Sequence, residues 1–299
     1  MMAKSPHSKW LIVLAFLLPS LIGFVIFTII PLLASLGLAF TNYSGGFSAA
    51  FVGLDNFYNL VTDANFYNAL WVTVKFLVVT VAMQMVLGFG FALLLNKPFH
   101  CRNFYRSILY LPTILSSVAI SLVFALILNP QSGPLNSFLV SLGLPRQPWL
   151  TSSHTALGTI IMVTLWQSIG YYMVLFLGGL QTINPELYEA AEIDGANNLR
   201  KLFHVTIPLL SPTTFYCFTI AIINGFKVFD QIFIMTGGMA QGGGPDGSTM
   251  VLVFKIYRDA FSSYQMGYAS AESMVLLLIV LVVTIVQYRG QTKWVTYEA

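Results

Sequence analysis

Charge is scarce in this chain. Of its 299 residues only 8% are Asp, Glu, Lys or Arg, against about 25% in an ordinary soluble domain, while 57% are hydrophobic. Fourteen basic and eleven acidic side chains cannot clothe a globule of this size in water, and the mean hydropathy of +0.77 agrees. The outer surface is therefore expected to face lipid. Cysteine is nearly absent: Cys101 and Cys217 stand far apart, which excludes a disulfide framework and a Cys-x-x-Cys zinc site. The four histidines, His7, His100, His154 and His204, share no metal-ligand spacing, so no metal site is expected. Gly-Lys occurs nowhere, so the chain has no Walker A loop to hold nucleotide phosphates. A net charge of +3 is too small to argue for nucleic acid.

What remains is long apolar runs. A bilayer core of roughly 30 Å needs about 20 apolar residues in a helix. Six such windows run approximately over 11–40, 71–95, 107–128, 155–177, 208–235 and 268–288. The stretch Leu276 to Val283 is unbroken, whereas a membrane barrel strand alternates, so the fold class is all-α, a polytopic membrane protein with six transmembrane helices in a single domain over 1–299. The first window follows Lys4 and Lys9 as a signal peptide would, yet runs on past Pro19 and Pro31 without a small-residue cleavage site, and is expected to stay attached.

Lysine and arginine set the orientation. With the N-terminus inside, the cytoplasmic segments hold nine (Lys4, Lys9, Lys97, Arg102, Arg106, Arg200, Lys201, Arg289 and Lys293) and the outer loops three (Arg146, Lys255 and Arg258). Both termini are then cytoplasmic. Leu54 to Leu70 interleaves aromatic and polar groups and suits a helix along the outer interface, and Ser248 to Phe261 reads as a second amphipathic helix after a Gly-rich turn.

The loop between spans four and five, 184–207, has the signals of two short helices at a bend. Asn184 caps, Pro185 occupies the first turn, Glu186, Glu189 and Glu192 favour the positive helix end, and Gly195 permits the left-handed residue that ends the helix. Leu199, Leu202, Phe203 and Ile207 lead into the second helix, and Pro208 marks entry to the membrane.

The run Glu189-Ala190-Ala191, Asp194-Gly195-Ala196, Phe203, Ile207-Pro208-Leu209-Leu210 and Pro212 resembles the EAA loop of membrane subunits of bacterial binding-protein-dependent ABC importers, and is similar in particular to the maltose-type branch that takes up sugars and glycerol phosphate. Phe51 to Phe57, Thr236-Gly237-Gly238, Gly243-Gly244-Pro245, Met266 to Ala271 and Trp294-Val295 extend the resemblance over nearly the whole chain. One departure is Met239-Ala240-Gln241-Gly242, which separates two glycine groups where such proteins have one compact turn. The resemblance implies a permease subunit in a bacterial cytoplasmic membrane that passes a carbohydrate, polyol or sugar phosphate and does no covalent chemistry. It implies a second, homologous permease, two ATPase subunits that bind ATP and Mg, and an extracytoplasmic solute-binding protein; this chain itself binds no cofactor. Glu189, Ala190, Ala191, Asp194, Gly195, Ala196 and Pro208 would form the ATPase-coupling loop.

For a sugar, aromatic faces and amide or hydroxyl groups within the spans single out Gln84, Ser117, Trp166, Gln167, Tyr171, Tyr172 and Asn224 as a substrate path. Charges within spans are costly and mark function or pairing. Lys75, Lys227, Asp230 and Glu272 all fall in the outer half by depth counting and are expected to form an outer gate, in which Lys227 and Asp230, three residues apart, share a helix face. The rival readings are an ion-coupled secondary transporter, for which no inverted repeat is visible, and a membrane enzyme, for which no Gly-x-Ser-x-Gly or metal cluster is present.

Overall fold

The computed structural model describes residues 6–46, 48–98, 100–238 and 243–296; Lys4 and the Met239-Ala240-Gln241-Gly242 insertion lie outside them. Its regular structure is helical apart from one isolated antiparallel bridge, Thr41 to Phe51. The chain divides into two compact units, residues 1–63 with 259–275 and residues 64–258 with 276–299.

In the first unit, α1 (Pro6–Phe24) passes through a wide turn (Val25–Ile29) into α2 (Ile30–Leu38). Pro31 has no N–H for the Phe27 carbonyl, and its ring would crowd that oxygen. The backbone widens just ahead of it, Ile30 N–H bonding Val25 O, and the rod continues. Beyond α2, α3 (Asp55–Thr62) buries Asn56 and Leu60. Buried Asn56 donates from Nδ2 to Ala39 O at 2.9 Å and Thr41 O at 2.8 Å, carbonyls at the end of α2 that would otherwise lack partners. Leu54, Tyr58 and Val61 are exposed, an apolar stripe suited to a membrane interface. Tyr268 Oη donates to Asp63 Oδ2 at 2.9 Å, and Gly267 N–H to Tyr43 O at 2.9 Å.

The second unit opens with α4 (Ala64–Asn96). Arg106 and Arg102, on α5 (Arg102–Ile114), donate to Leu95 O at 2.8 Å and Asn96 O at 3.4 Å and so close its carbonyl end. After α5, Leu115 and Ser116 are extended (ψ 149° and 129°), and α6 (Ser117–Ile127) leaves at 96°. The short α7 (Pro134–Ser141) and its loop are held by Asn136, whose Nδ2 donates to Pro130 O and Gln147 O. The unbroken α8 (Ala156–Thr182) packs along α4 and α5. Gly170 makes that approach possible: a Cβ there would lie 2.0 Å from Leu109 O. Then come α9 (Pro185–Ile193), α10 (Asn198–Lys201), a second wide turn (Leu202–Thr206), α11 (Ile207–Leu209), α12 (Ser211–Phe226), α13 (Asp230–Met235) and α14 (Leu252–Phe261). The chain ends on α15 (Met266–Gln291). The core of this unit is apolar and continuous from Val81 and Ala92 through Tyr172, Met173 and Phe176 to Cys217 and Ala221.

Among the described residues four helices are long and apolar enough to cross a membrane, Val13–Leu38, Ala64–Asn96, Ala156–Thr182 and Met266–Gln291. They coincide with expected spans one, two, four and six. Spans three and five differ from expectation, because each is a bent pair: α5 with α6 at 96°, and Asn198–Leu209 with Ser211–Phe226 at 64°. Hydropathy reads length but not direction, and these breaks occur inside apolar sequence. The expected interfacial helix over 54–70 resolves into α3 and the first turns of α4, divided by extended Asp63 (ψ 107°).

Candidate transport cavity and coupling loop

A cavity of about 430 Å³ opens in the second unit where the broken spans meet α4 and α8. From α4 it receives Thr80 and Gln84, and from α8 the stripe Thr164, Gln167, Ser168, Tyr171 and Tyr172, spaced three and four apart so that one helix face presents them all. Thr113 and Ser117 come from either side of the first break, Asn224 from the last turn of α12, and Lys227 to Gln231 from a second break, at 227–229 between α12 and α13, which is separate from the 64° bend before Ser211. Gln84 Nε2 donates to Ser168 Oγ at 2.9 Å, and Ser168 Oγ to Thr164 O at 2.8 Å. The wall thus joins amides and hydroxyls, which can both donate and accept, to tyrosine rings and to the apolar side chains of Phe76, Ala221, Val228 and Phe229.

Six of the seven residues expected to line a substrate path do line this cavity; Trp166 does not. It is 47% exposed, meets Phe124 edge to face at 5.2 Å, and lies in a shallow apolar groove with Val79 and Met83. At about 100° per residue Trp166 falls nearly opposite the mean direction of the polar stripe, so its chemistry suits a sugar while its helical position does not. That same stripe shows Thr164 and Ser168, which sequence reasoning passed over.

The outer charges need correction. Lys227 and Asp230 do not share a helix face, because α12 ends at Lys227 (φ −94°, ψ 2°) and α13 begins after Phe229 (φ −144°, ψ −57°). Both line the cavity, yet no ion pair within 4.0 Å joins them among the described residues. Lys227 caps the carbonyl end of one helix and Asp230 opens the next, so each charge is favoured by the dipole it meets. Lys75 sits elsewhere, its Nζ 5.1 Å from the centre of the Trp71 ring. Glu272 is buried and belongs to the other unit. Behind the second break, Phe229 stacks on Phe233 at 5.2 Å and contacts Tyr257 at 5.0 Å, which fastens α13 to α14.

The loop at 184–207 folds as its residues suggest. Asn184 Oδ1 accepts from Glu186 N at 3.1 Å, and α9 begins with Pro185 in its first turn. It ends with Gly195 at φ +76°, with Gly195 N donating to Glu192 O at 3.0 Å and Ala196 N to Ala191 O at 2.9 Å, the paired bonds of a Schellman cap. Asn197 Oδ1 caps α10 through Arg200 N at 2.9 Å. Lys201 pairs with Glu192 across the bend, and Tyr188 Oη shares a hydrogen bond with Thr206 Oγ1 at 3.1 Å. The hydrogen bond that Lys201 Nζ donates to Glu192, and then the lysine's charge, hold the Glu192 carboxyl below its ordinary pKa. Glu189 and Asp194 are exposed and stand outside these bonds; small Ala190, Ala191 and Ala196 leave the bend open to close approach. Ile193, Leu199 and Phe203 are exposed beside them at 87%, 66% and 61%, an apolar crown that a solvated loop has no reason to carry.

Residues 84–293 match the family described as binding-protein-dependent transport system inner membrane component. The chain is 34% identical over 288 residues to a probable ABC transporter permease protein, YesP, of Bacillus subtilis (strain 168), covering 95% of this chain and 92% of that protein. It is 33% identical to the arabinooligosaccharides transport system permease protein AraP of the same organism (92% and 86% covered), and 32% identical to the sn-glycerol-3-phosphate transport system permease protein UgpA of Escherichia coli (strain UTI89 / UPEC), covering 98% and 97%. In fold it is similar to a chain of a bacterial alginate ABC transporter solved in complex with an alginate pentasaccharide-bound periplasmic protein, with a TM-score of 0.84, 24% identity and 98% of each chain covered.

Proposed function

The chain belongs to the family of inner membrane components of binding-protein-dependent transport systems, and we propose that it is the permease subunit that carries a carbohydrate across the bacterial cytoplasmic membrane, with the two bent pairs counting as spans and both termini inside. The observation that carries the substrate class is the cavity wall. Gln84, Tyr171, Tyr172 and Asn224 offer amide and hydroxyl groups beside ring faces, and Lys227 and Asp230 balance in charge, a lining suited to a neutral polyhydroxylated cargo. The similarity to the arabinooligosaccharides permease AraP supports the same class.

An extracytoplasmic binding protein delivers the cargo, and a second, homologous permease completes the path. Two ATPase subunits, holding ATP and Mg, dock on the coupling loops. On this chain the apolar crown at Ile193, Leu199 and Phe203 is the docking surface, Gly195 and the small alanines shape it, and Pro208 passes its movement to α12 as a rigid-body shift. The test is transport by the reconstituted importer. The binding protein is screened by calorimetry against neutral sugars, polyols and sugar phosphates, and the retained compound is offered to vesicles containing both permeases and the ATPase. ATP-dependent accumulation of a neutral carbohydrate is expected. Accumulation driven by a proton or sodium gradient without ATP overturns the proposal.

A further inference from the structure

Two spans break, at Leu115–Ser116 and at 227–229, and one side chain of the unbroken α8 reaches both breaks. Gln167 Nε2 donates to Leu115 O and to Ser117 Oγ, each at 3.3 Å; its Oε1 accepts from Gln231 Nε2 at 3.1 Å, and its backbone carbonyl accepts from Thr113 Oγ1 at 2.9 Å. The Leu115 carbonyl can only accept, so the amide NH2 must face it; the oxygen is then left for Gln231, whose own NH2 must point at it. With both ends engaged and the residue buried, this amide is spent inside the protein rather than on cargo. It also gives the Leu115 carbonyl, freed from helical bonding by the break, a partner.

The segments beyond the two breaks, α6 and α13, pack against each other, while those before them, α5 and α12, pack against α8. Close backbone contact at Gly170 leaves α5 no freedom to slide. The geometry points to Gln167 as a positioning residue that pins the α6–α13 pair beside the cavity, so that release of Gln231 lets the pair swing about the ring contacts that tie α13 to Tyr257 on α14, while α4, α8 and α12 stay in place. This inference rests on the transport reading only for what the swing admits.

The test uses the full chain in bilayer nanodiscs with Cys101→Ser and Cys217→Ala, and spin labels at Leu126→Cys on α6 and Val174→Cys on α8, both exposed positions. The parent is expected to give one narrow distance. Gln167→Leu and Gln231→Leu are each expected to add a second, displaced distance. The double variant should be no broader than Gln167→Leu alone, because that variant already lacks the bond to Gln231. Gln167→Glu keeps the acceptor for Gln231 and loses the donor to Leu115, so it should broaden less than Gln167→Leu. A glutamine that only stabilises the fold would lower the melting temperature and leave the distance narrow. An unchanged narrow distance in Gln231→Leu, which alters a partly exposed residue and leaves Gln167 intact, overturns the pin even if Gln167 variants fail to fold. Uptake by the reconstituted importer is followed alongside; a parent that moves no carbohydrate refutes the transport reading, while the distances still decide the pin.

Discussion

The tetrapeptide Ile-Pro-Leu-Leu occurs twice, at Ile30 to Leu33 and at Ile207 to Leu210, and the backbone treats the two alike up to the proline. A wide turn precedes each, Val25–Ile29 and Leu202–Thr206, and the residue before each proline closes it, Ile30 N–H to Val25 O and Ile207 N–H to Leu202 O. Beyond that they part: α2 runs on, whereas α12 leaves at 64°. The sequence after the tetrapeptide explains the difference. Ala34-Ser35 continues the first helix, while Ser211-Pro212 places a second proline four residues after Pro208. Pro212 cannot donate to Pro208 O, so Ser211 Oγ donates to it instead at 2.6 Å and itself accepts from Thr296 N at 2.8 Å. At this tetrapeptide one proline widens the helix, and a second four residues on turns it, with a side chain satisfying the freed carbonyl.

The contrast is sharpest in the segments leading into each tetrapeptide. Gly195 has φ +76°, which proline cannot adopt, whereas Gly23 lies within α1 with nothing within 4 Å of an added Cβ. Gly195→Pro is expected to remain in the membrane and to abolish uptake by uncoupling the ATPase; Gly23→Ala should transport at the parental rate. Uptake that is normal in Gly195→Pro, with the ATPase still copurifying, would remove coupling from this loop. Next in size is the second proline. Pro212→Ala restores a donor to Pro208 O and should straighten the junction, lowering uptake by about tenfold, a barrier change of about 1.4 kcal/mol. Pro31→Ala, at the junction that is already straight, should leave uptake unchanged.

A smaller effect follows from the hydroxyl. Ser211→Ala leaves the Pro208 carbonyl without its donor and should cost about 1 kcal/mol, read as a lower melting temperature of the purified chain. The smallest contrast is electrostatic, since charge flanks only the bent site. Glu192 has a lowered pKa in the folded state, so its contribution is present above its ordinary value and is lost as pH falls through the lowered one. The pair is exposed, so the effect is slight and salt-sensitive. Melting measured across acid pH should show a shallow decline that Glu192→Gln flattens; identical profiles would leave the pair without influence on stability.

Much of this was legible in the residues, and what was not has a physical reason. The four straight spans follow from apolar length, and the Asn184 cap and Gly195 turn follow from local chemistry that acts within a few residues. The break at Leu115–Ser116 is held by Gln167 and the one at 227–229 by the contact of Phe229 with Tyr257, partners far away in sequence. No window of neighbouring residues contains those partners. For Lys227 and Asp230 a spacing of three implies a shared face only if the helix continues, and α12 ends at Lys227. Trp166 was chosen for the chemistry of its ring, when its angle on α8 decides what it faces.

Asn224 and Trp166 therefore give the most direct test of the central claim, that the wall of amides and hydroxyls is the cargo's route. In the assembled importer, Asn224→Cys and Trp166→Cys are each treated with a charged, water-borne thiol reagent, with and without the carbohydrate that the binding protein retains. The account predicts that the thiol at 224 reacts and is protected by cargo during ATP-driven turnover, while the thiol at 166 reacts slowly and is indifferent to cargo. Equal reactivity at the two positions, or protection at 166 alone, would contradict it.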